Sequence, residues 1–460
     1  MPKRVPSMPE TLLWAPQAWV GGRWASQVLL QAGTDGCWTR VEPGVDMPPE
    51  GAQVLAGAVM PPLVDAHSHA FQRAFAGLAE RRDRDSDDFW SWRDRMYGVA
   101  LRITPAQLRA VAAHLYTELL AGGYTQVCEF HYLQHQPDGQ PYADRAELMW
   151  ALADAADEAG IGLTLLPALY ERAGFAQPVL RPDQRRFFTS ADDVLALQRA
   201  VRGAGRPLLD AGCAVHSLRA AWPASLARLA SRSDGPLHIH VAEQQAEVRD
   251  CLAATGCRPI EWLLRHAAPD ARWQLVHATH SLPSEVEGVA GCGAGVVLCP
   301  GTEANLGDGL PDLQGWLAHD VPLALGSDSQ VTRSWPEELR WLDYAQRLLL
   351  QQRNVSARPG HEPSTASRLF QRVQAGGAAA AGFARWGLVD GARADLLVLD
   401  DDDDGLAGLP PSHRLDGVVF AAPARPFARV MVAGRWVALS DAGRRARHRA
   451  AMQALWASEA

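Results

Sequence analysis

Gly57-Ala58-Val59-Met60-Pro61-Pro62-Leu63-Val64 is a short apolar run, and Asp65-Ala66-His67-Ser68-His69 closes it. A strand that ends in two histidines one residue apart is a chelating arrangement, because side chains at i and i+2 of a strand leave from the same face. His67 and His69 can therefore offer both imidazoles to one cation. Taken alone the pair also suits a surface turn, so residues elsewhere in the chain decide its meaning.

Seven further apolar runs follow, at 125–130, 161–166, 212–215, 237–241, 273–276, 295–298 and 322–325, and Ala/Leu/Arg-rich stretches of helical character separate them. Strands alternating with helices indicate a parallel sheet, and eight such units favour a closed (β/α)8 TIM barrel in the α/β class. The alternative is an open doubly wound sheet, whose dinucleotide-binding form is disfavoured because no Gly-x-Gly-x-x-Gly follows the first strand. The two ends have a different character. Residues 12–54 are rich in Trp, Val and Gly with turn signals at Gly21-Gly22 and Asp35-Gly36, and 394–400 and 428–437 read as strands separated by an acidic loop at 400–404. Chain ends often lie close together, so these two β-rich ends are expected to pair. The expected organisation is residues 1–57 as the N-terminal part of a small β-sandwich, 58–385 as the (β/α)8 barrel, and 386–460 as the C-terminal part of the sandwich plus a terminal helix.

The bulk numbers exclude several classes of partner. With 460 residues, 47% of them hydrophobic, the chain can bury a large core. A net charge of -8 without any long basic run argues against nucleic acid and against an anionic membrane surface. No stretch is apolar for long enough to span a bilayer, and Met1-Pro2-Lys3-Arg4 leads into prolines and polar residues, so a cytoplasmic protein is expected. Seven scattered cysteines without a Cys-x-x-Cys pair fit reduced thiols, with Cys251 and Cys257 read as structural. Lys3 is the single lysine, which leaves no carbamylated lysine to bridge two metals in the body of the chain. A metal site here is expected to be mononuclear.

In a barrel, functional groups sit just past the C-terminal ends of the strands. The first run ends in His67 and His69, the fifth holds His238 and His240 and is followed by Glu243, the sixth ends in His277, and the eighth ends in Gly326-Ser327-Asp328. Three neutral imidazoles and one carboxylate suit zinc and leave a position for water, so His67, His69, His240 and Asp328 are the expected ligands of one divalent metal per subunit, with Zn2+ favoured and iron or manganese possible alternatives. His238 competes with His240 as an ordinary core histidine, and Asp328 taken alone suits a turn. Glu243 is placed to carry protons as a general acid and base. His277 is the expected orienting base or electrostatic stabiliser, with His280 a lower-ranked competitor, and either His277 or Asp328 takes a proton from the water.

With Ala394-Asp395-Leu396 in the tail added, this pattern resembles the amidohydrolase superfamily, and most closely its mononuclear deaminases. The resemblance implies a barrel with a small β-sandwich built from both termini. Narrower motifs are His67-Ser68-His69-Ala70-Phe71-Gln72-Arg73-Ala74, Phe89-Trp90-Ser91-Trp92-Arg93, Glu129-Phe130-His131-Tyr132, His216-Ser217-Leu218-Arg219 and Thr302-Glu303-Ala304-Asn305-Leu306-Gly307-Asp308-Gly309. These are similar to the superfamily's deiminases of N-formimidoyl-L-glutamate. That similarity implies hydrolysis to N-formyl-L-glutamate and ammonia, a step of histidine degradation, by a homodimer. Arg93 and Arg219 would each hold one carboxylate of a small dicarboxylate substrate in a bidentate fork, and Gln72, Tyr132 and His216 would complete its shell. Phe89, Trp90 and Trp92 are read as packing a lid or a dimer surface. The rival readings are a purine, pterin or triazine aminohydrolase, a peptidase or deacetylase of the same superfamily, and a non-catalytic metal-binding scaffold.

Overall fold

The computed structural model describes residues 10–82, 89–423 and 425–457. In chain order its strands are β1 (Thr11–Val20), β2 (Arg23–Ala32), β3 (Trp38–Glu42), β4 (Gln53–Val54), β5 (Val59–Met60), β6 (Leu63–Ser68), β7 (Tyr124–His131), β8 (Gly162–Leu169), β9 (Leu209–Ala211), β10 (Cys213–Ser217), β11 (Leu237–Val241), β12 (Trp273–His277), β13 (Gly295–Leu298), β14 (Leu323–Leu325), β15 (Leu396–Leu399), β16 (Phe427–Val432) and β17 (Arg435–Val437). The parallel path runs β6, β7, β8, β10, β11, β12, β13, β14, and β14 returns to β6 through Leu325 and Asp65. The short β9 flanks β8, while β10 pairs with β8 directly, so eight strands close the barrel. Every residue of β6, β7 and β8 is buried, which is why these strands read as continuous apolar runs rather than as alternating ones.

The barrel floor is plugged by the end of a helix, Thr365–Ala380. The carbonyl of Ala380 accepts from His238 Nε2 at 2.9 Å, and the Ala381 carbonyl accepts from Thr164 Oγ1 at 3.3 Å. His238 is thereby bonded to the plug, one layer below His240. The plug fits because Gly376 has no side chain: a Cβ there would lie 2.0 Å from the Leu323 carbonyl oxygen.

The termini form one eight-stranded sheet, in the order β17-β16-β15-β5-β1-β2-β3 with β4 on β1. Its alternation shows how one sheet serves two cores. Val59, Leu396, Val398 and Met431 face a core of their own with Leu13, Leu30 and Trp38, whereas Met60, Leu397, Leu399, Val430 and Val432 face the barrel. Two expectations are corrected here. The run at 57–64 is not one strand: Pro61-Pro62 splits it, so that β5 joins the terminal sheet and only β6 enters the barrel, and the terminal sheet draws on residues past the expected boundary at 57. Likewise 428–437 is a hairpin, β16 and β17, turned at Ala433-Gly434 with Gly434 at φ 77°. A helix, Arg414–Phe420, stands between the acidic loop and this hairpin.

Asp395 gives the Ala394-Asp395-Leu396 motif a physical role. It accepts from Thr125 Oγ1 at 2.6 Å and from the Ala433 N–H at 2.7 Å, while Arg393 donates to the Thr125 carbonyl at 2.9 Å, so the tail is tied to the base of β7. The terminal helix, Ala442–Trp456, packs on the barrel helix Pro105–Ala121, where the His448 and His114 rings stack 4.3 Å apart. All seven cysteines are free thiols. Among the described residues, no helix is long and apolar enough to cross a membrane.

Candidate active site

The C-terminal ends of β6, β11, β12 and β14 converge on one point. His67 Nε2 lies 3.0 Å from His240 Nε2, and Asp328 Oδ1 lies 3.4 Å from Nε2 of both His67 and His69. His69 Nδ1 is 2.8 Å from the Phe130 carbonyl oxygen and His240 Nδ1 is 2.8 Å from that of His216. A carbonyl only accepts, so both rings carry their proton on Nδ1 and turn the Nε2 lone pair towards the centre, the tautomer that a metal ligand needs. Burial holds His67 down to about 3 and lowers His69 and His240 as well, so the imidazoles are neutral. Burial opposes the charge of Asp328, but its hydrogen bond with His67 and the surrounding imidazoles outweigh that and keep it below the usual carboxylate range. Three neutral nitrogens and one carboxylate around a buried point fit a divalent cation.

Backbone geometry makes this convergence possible. Ala242, His277, Ala278 and Asp328, all just past or at strand ends, have φ of 52°, 69°, 49° and 48°. Left-handed backbone costs a non-glycine residue roughly 1–2 kcal/mol, so the surroundings must hold these turns in place. For Asp328 the holding groups are visible. Its N–H donates to the His67 carbonyl at 2.9 Å, its own carbonyl accepts from the His69 N–H at 3.2 Å, and Gln330 Nε2 bridges that carbonyl to Ser68 Oγ. Gly326 lets the loop approach, because a Cβ there would be 2.6 Å from the His67 Cβ. Two buried acids brace β6 from below and beside. Asp65 accepts from the Ser327 N–H at 2.9 Å and from Ser327 Oγ at 2.5 Å. Glu129 accepts from Ser68 Oγ at 2.8 Å and from the Ala70 N–H at 2.6 Å. Burial pushes Asp65 up to about 7 and Glu129 up to about 8.

Glu243 and His277 stand beside the cluster. His277 Nε2 is 3.7 Å from Glu243 Oε1 and 3.8 Å from Asp328 Oδ2, while its Nδ1 is 3.4 Å from Glu303 Oε1. Glu303 also accepts from the Cys299 N–H at 3.0 Å, which fixes its carboxylate behind the ring. Burial opposes a charged His277, yet the carboxylates of Glu243, Glu303 and Asp328 outweigh it and raise the imidazole to about 10. His280 instead takes a hydrogen bond from Gln245 Nε2 at 2.8 Å, away from the cluster.

A cavity opens over these groups, and its walls include His69, Gln72, Trp92, Arg93, Tyr132, His216, Arg219, His240, Glu243, His277 and Asp328. All five residues expected to bind substrate are in that wall. Gln72 Nε2 donates to Tyr132 Oη at 3.1 Å, and the His216 ring lies 5.5 Å from that of Tyr132. Arg219 Nη1 is 4.0 Å from Glu247 Oε2, and Arg93 lies 5.6 Å over the Tyr97 ring. Burial lowers Arg93 from its ordinary value, opposed in part by Tyr97, and the Arg219 charge lowers it further. Trp92 lines the wall, while the side chains of Phe89 and Trp90 lie outside the described residues.

The model of the amidohydrolase family matches residues 58–437. This chain belongs to the amidohydrolase family. Formimidoylglutamate deiminase from Pseudomonas aeruginosa is 46% identical over 431 residues, which cover 92% of this chain and 94% of that one. An amidohydrolase from Brucella melitensis superposes with a TM-score of 0.90 at 39% identity, over 97% of this chain and 99% of its own. An adenosine deaminase from Xanthomonas campestris with bound zinc has a TM-score of 0.78 at 22% identity, over 99% and 100% of the two chains, a likeness of fold alone. The chain is thus a hydrolase of C–N bonds in a family that uses a divalent metal, and its buried His67, His69 and Asp328 group, like its His67, His240 and His277 group, is of a kind that can bind one.

The acids that brace the site were not assigned from the sequence. Glu129, Glu303 and Asp308 lie inside the motifs at 129–132 and 302–309, Glu129 within β7 and the other two in the segment that follows β13, and membership of those motifs was the available signal. Asp65 and Glu247 gave no separable signal, because a carboxylate near a strand end is ordinary until its partners are known.

Proposed function

We propose that this protein hydrolyses N-formimidoyl-L-glutamate to N-formyl-L-glutamate and ammonia. The observation that carries the reading is the pairing of Arg93 and Arg219 in one cavity with Glu243, His277 and the histidine-carboxylate cluster. A substrate with two carboxylates calls for two guanidiniums, and a purine ring does not. The 46% identity to formimidoylglutamate deiminase supports the same choice.

In this reading His67, His69, His240 and Asp328 hold one divalent metal, with zinc favoured by the N3O donor set. When bound, the ion acts as a Lewis acid and lowers the pKa of water. Arg93 and Arg219 anchor the two carboxylates, and Gln72, Tyr132 and His216 hydrogen-bond the same substrate, so that the terminal nitrogen of the formimidoyl group faces Glu243. Glu243 and Asp328 receive the protons that the attacking water gives up. His277 stabilises negative charge developing on the incoming oxygen. Glu243 then protonates the terminal nitrogen, the C–N bond to it breaks, ammonia leaves, and the carbonyl of the formyl product forms. The nitrogen attached to glutamate keeps its bond throughout.

The finer setting proposed is a cytoplasmic homodimer, the latter tested by light scattering after gel filtration. The test of function is ammonia release by metal-replete protein with N-formimidoyl-L-glutamate, beside N-formimidoyl-L-aspartate and guanine. Turnover of guanine with no turnover of the glutamate derivative would refute the reading.

A further inference from the structure

Two tyrosines in the cavity wall have no task in the mechanism above. Tyr97 lies four residues after Arg93 on the helix Phe89–Ala100, so the two share a helix face, and Tyr170 stands just past the end of β8. One buried amide serves both hydroxyls: Gln184 Nε2 donates to Tyr97 Oη at 3.2 Å and to Tyr170 Oη at 2.9 Å. The orientation of that amide is fixed, because Gln184 Oε1 accepts from the Arg181 N–H at 3.0 Å. Phe187 packs against both phenol rings, 5.7 Å from that of Tyr97 and 5.4 Å from that of Tyr170. The short turn from Arg181 to Phe187 therefore sets where the two hydroxyls stand.

The hydrogens of this arrangement can be counted. Both amide hydrogens of Gln184 are spent on the tyrosine oxygens, so each hydroxyl must place its own hydrogen elsewhere. The two hydroxyls can share at most one of these with each other, and among the described residues no other side chain or carbonyl accepts one. At least one O–H is left for the cavity. Both tyrosines are buried, and a buried donor without an acceptor is unfavourable until a ligand supplies one. The acceptor is set by what stands beside it: the Arg93 guanidinium lies 5.6 Å from the centre of the Tyr97 ring, and an anion is what it holds. A carboxylate has lone pairs enough for a guanidinium fork and a hydroxyl together. We propose that the Tyr97 and Tyr170 pair donates a hydrogen bond to the substrate carboxylate held at Arg93, and that Gln184 aims it. This rests on the substrate reading above. Tyr97 and Tyr170 are then substrate-binding residues, and Gln184, which acts through them, is a positioning residue.

The test uses zinc-loaded protein and ammonia release from N-formimidoyl-L-glutamate, with two unreactive competitors that each keep one carboxylate. In 4-formamidobutanoate the α-carboxylate is missing, and in N-formyl-L-2-aminobutanoate the side-chain carboxylate is missing. Tyr97→Phe/Tyr170→Phe removes both hydroxyls and keeps both rings. It should raise KM about tenfold or more, the effect of one hydrogen bond to a charged acceptor, while kcat stays within about threefold of wild type. The inhibition constant of one competitor, the one whose carboxylate sits at Arg93, should rise by a similar factor, and that of the other should not. An unaltered KM, or an equal rise for both competitors, would overturn the proposal. If the double variant does not fold, the two single variants decide, since a normal KM in both is equally fatal. Gln184→Met should raise KM in the wild-type background and add nothing to the double variant, and a further rise there would show that Gln184 acts other than through the hydroxyls. Wild-type protein that turns over the glutamate derivative beside variants of normal KM sinks this proposal alone. Wild-type protein without that activity sinks the dicarboxylate reading, and this proposal with it.

Discussion

Replacing Arg219 with alanine separates binding from stability in one residue. Arg219 is 14% exposed, and its Nη1 lies 4.0 Å from the carboxylate of Glu247, which is 1% exposed and also accepts the Glu243 N–H at 3.2 Å. Loss of a charge-assisted contact with a substrate carboxylate costs about 1.5–3 kcal/mol, which is roughly a 10- to 150-fold rise in KM. The contact is made to substrate and transition state alike, so kcat should change far less. The same substitution leaves Glu247 buried beside no guanidinium from this residue, and the melting temperature should fall. Adding Glu247→Gln to Arg219→Ala should recover much of the lost Tm without recovering affinity, because the neutral amide no longer needs a cation but still offers substrate nothing. Steady-state ammonia release across a range of N-formimidoyl-L-glutamate concentrations gives KM and kcat, and thermal melts give Tm. A KM for Arg219→Ala within about threefold of wild type would refute the carboxylate assignment.

Glu243→Gln should lower turnover by about 10²–10⁴-fold while metal content by atomic absorption stays near one per chain, and near-normal turnover would remove Glu243 as the acid and base. Burial, partly offset by His277, pushes Glu243 up to about 7, and a base must be ionised to accept a proton. The pH profile of kcat/KM should therefore fall about tenfold per unit below that pH and level off above it, and a flat profile through this range would contradict the role. Gly326→Ala would place a Cβ 2.6 Å from the His67 Cβ and 2.9 Å from Cys299 Sγ, so it should cost about 1–3 kcal/mol in denaturant titration and reduce metal content; wild-type values for both would show that the loop tolerates the group. Chelation should lower Tm and added zinc restore it, since only the folded chain assembles the His67, His69, His240 and Asp328 set, and identical melts with and without metal would argue against a resident ion.

Local pattern carried much of the architecture into the sequence. Barrel strands buried on both faces must be apolar throughout, so the runs ending at His67, His240, His277 and Asp328 were visible as such. Where a proline pair interrupted a run the pattern misled, because Val59–Met60 and Leu63–Ser68 are equally apolar yet belong to different sheets. Local reading favoured His240 over His238 only by its place nearer the strand end. Both point into the barrel, and the structure gives them different partners, the helix end at Ala380 below for His238 and the His67 ring above for His240.

Residue types and their places past strand ends suffice to indicate a barrel, a cation-binding pair at His67 and His69, and two candidate proton carriers, because strand periodicity and strand-end position are properties of neighbouring residues. The tertiary structure decided which groups act on which. The Nδ1 bonds of His69 and His240 to carbonyls on other strands, the clamp of Asp328 against β6 and the carboxylate of Glu303 behind His277 all join residues far apart in the chain. Their tautomers and charges depend on burial and on those distant partners, and neither exists until the barrel has closed.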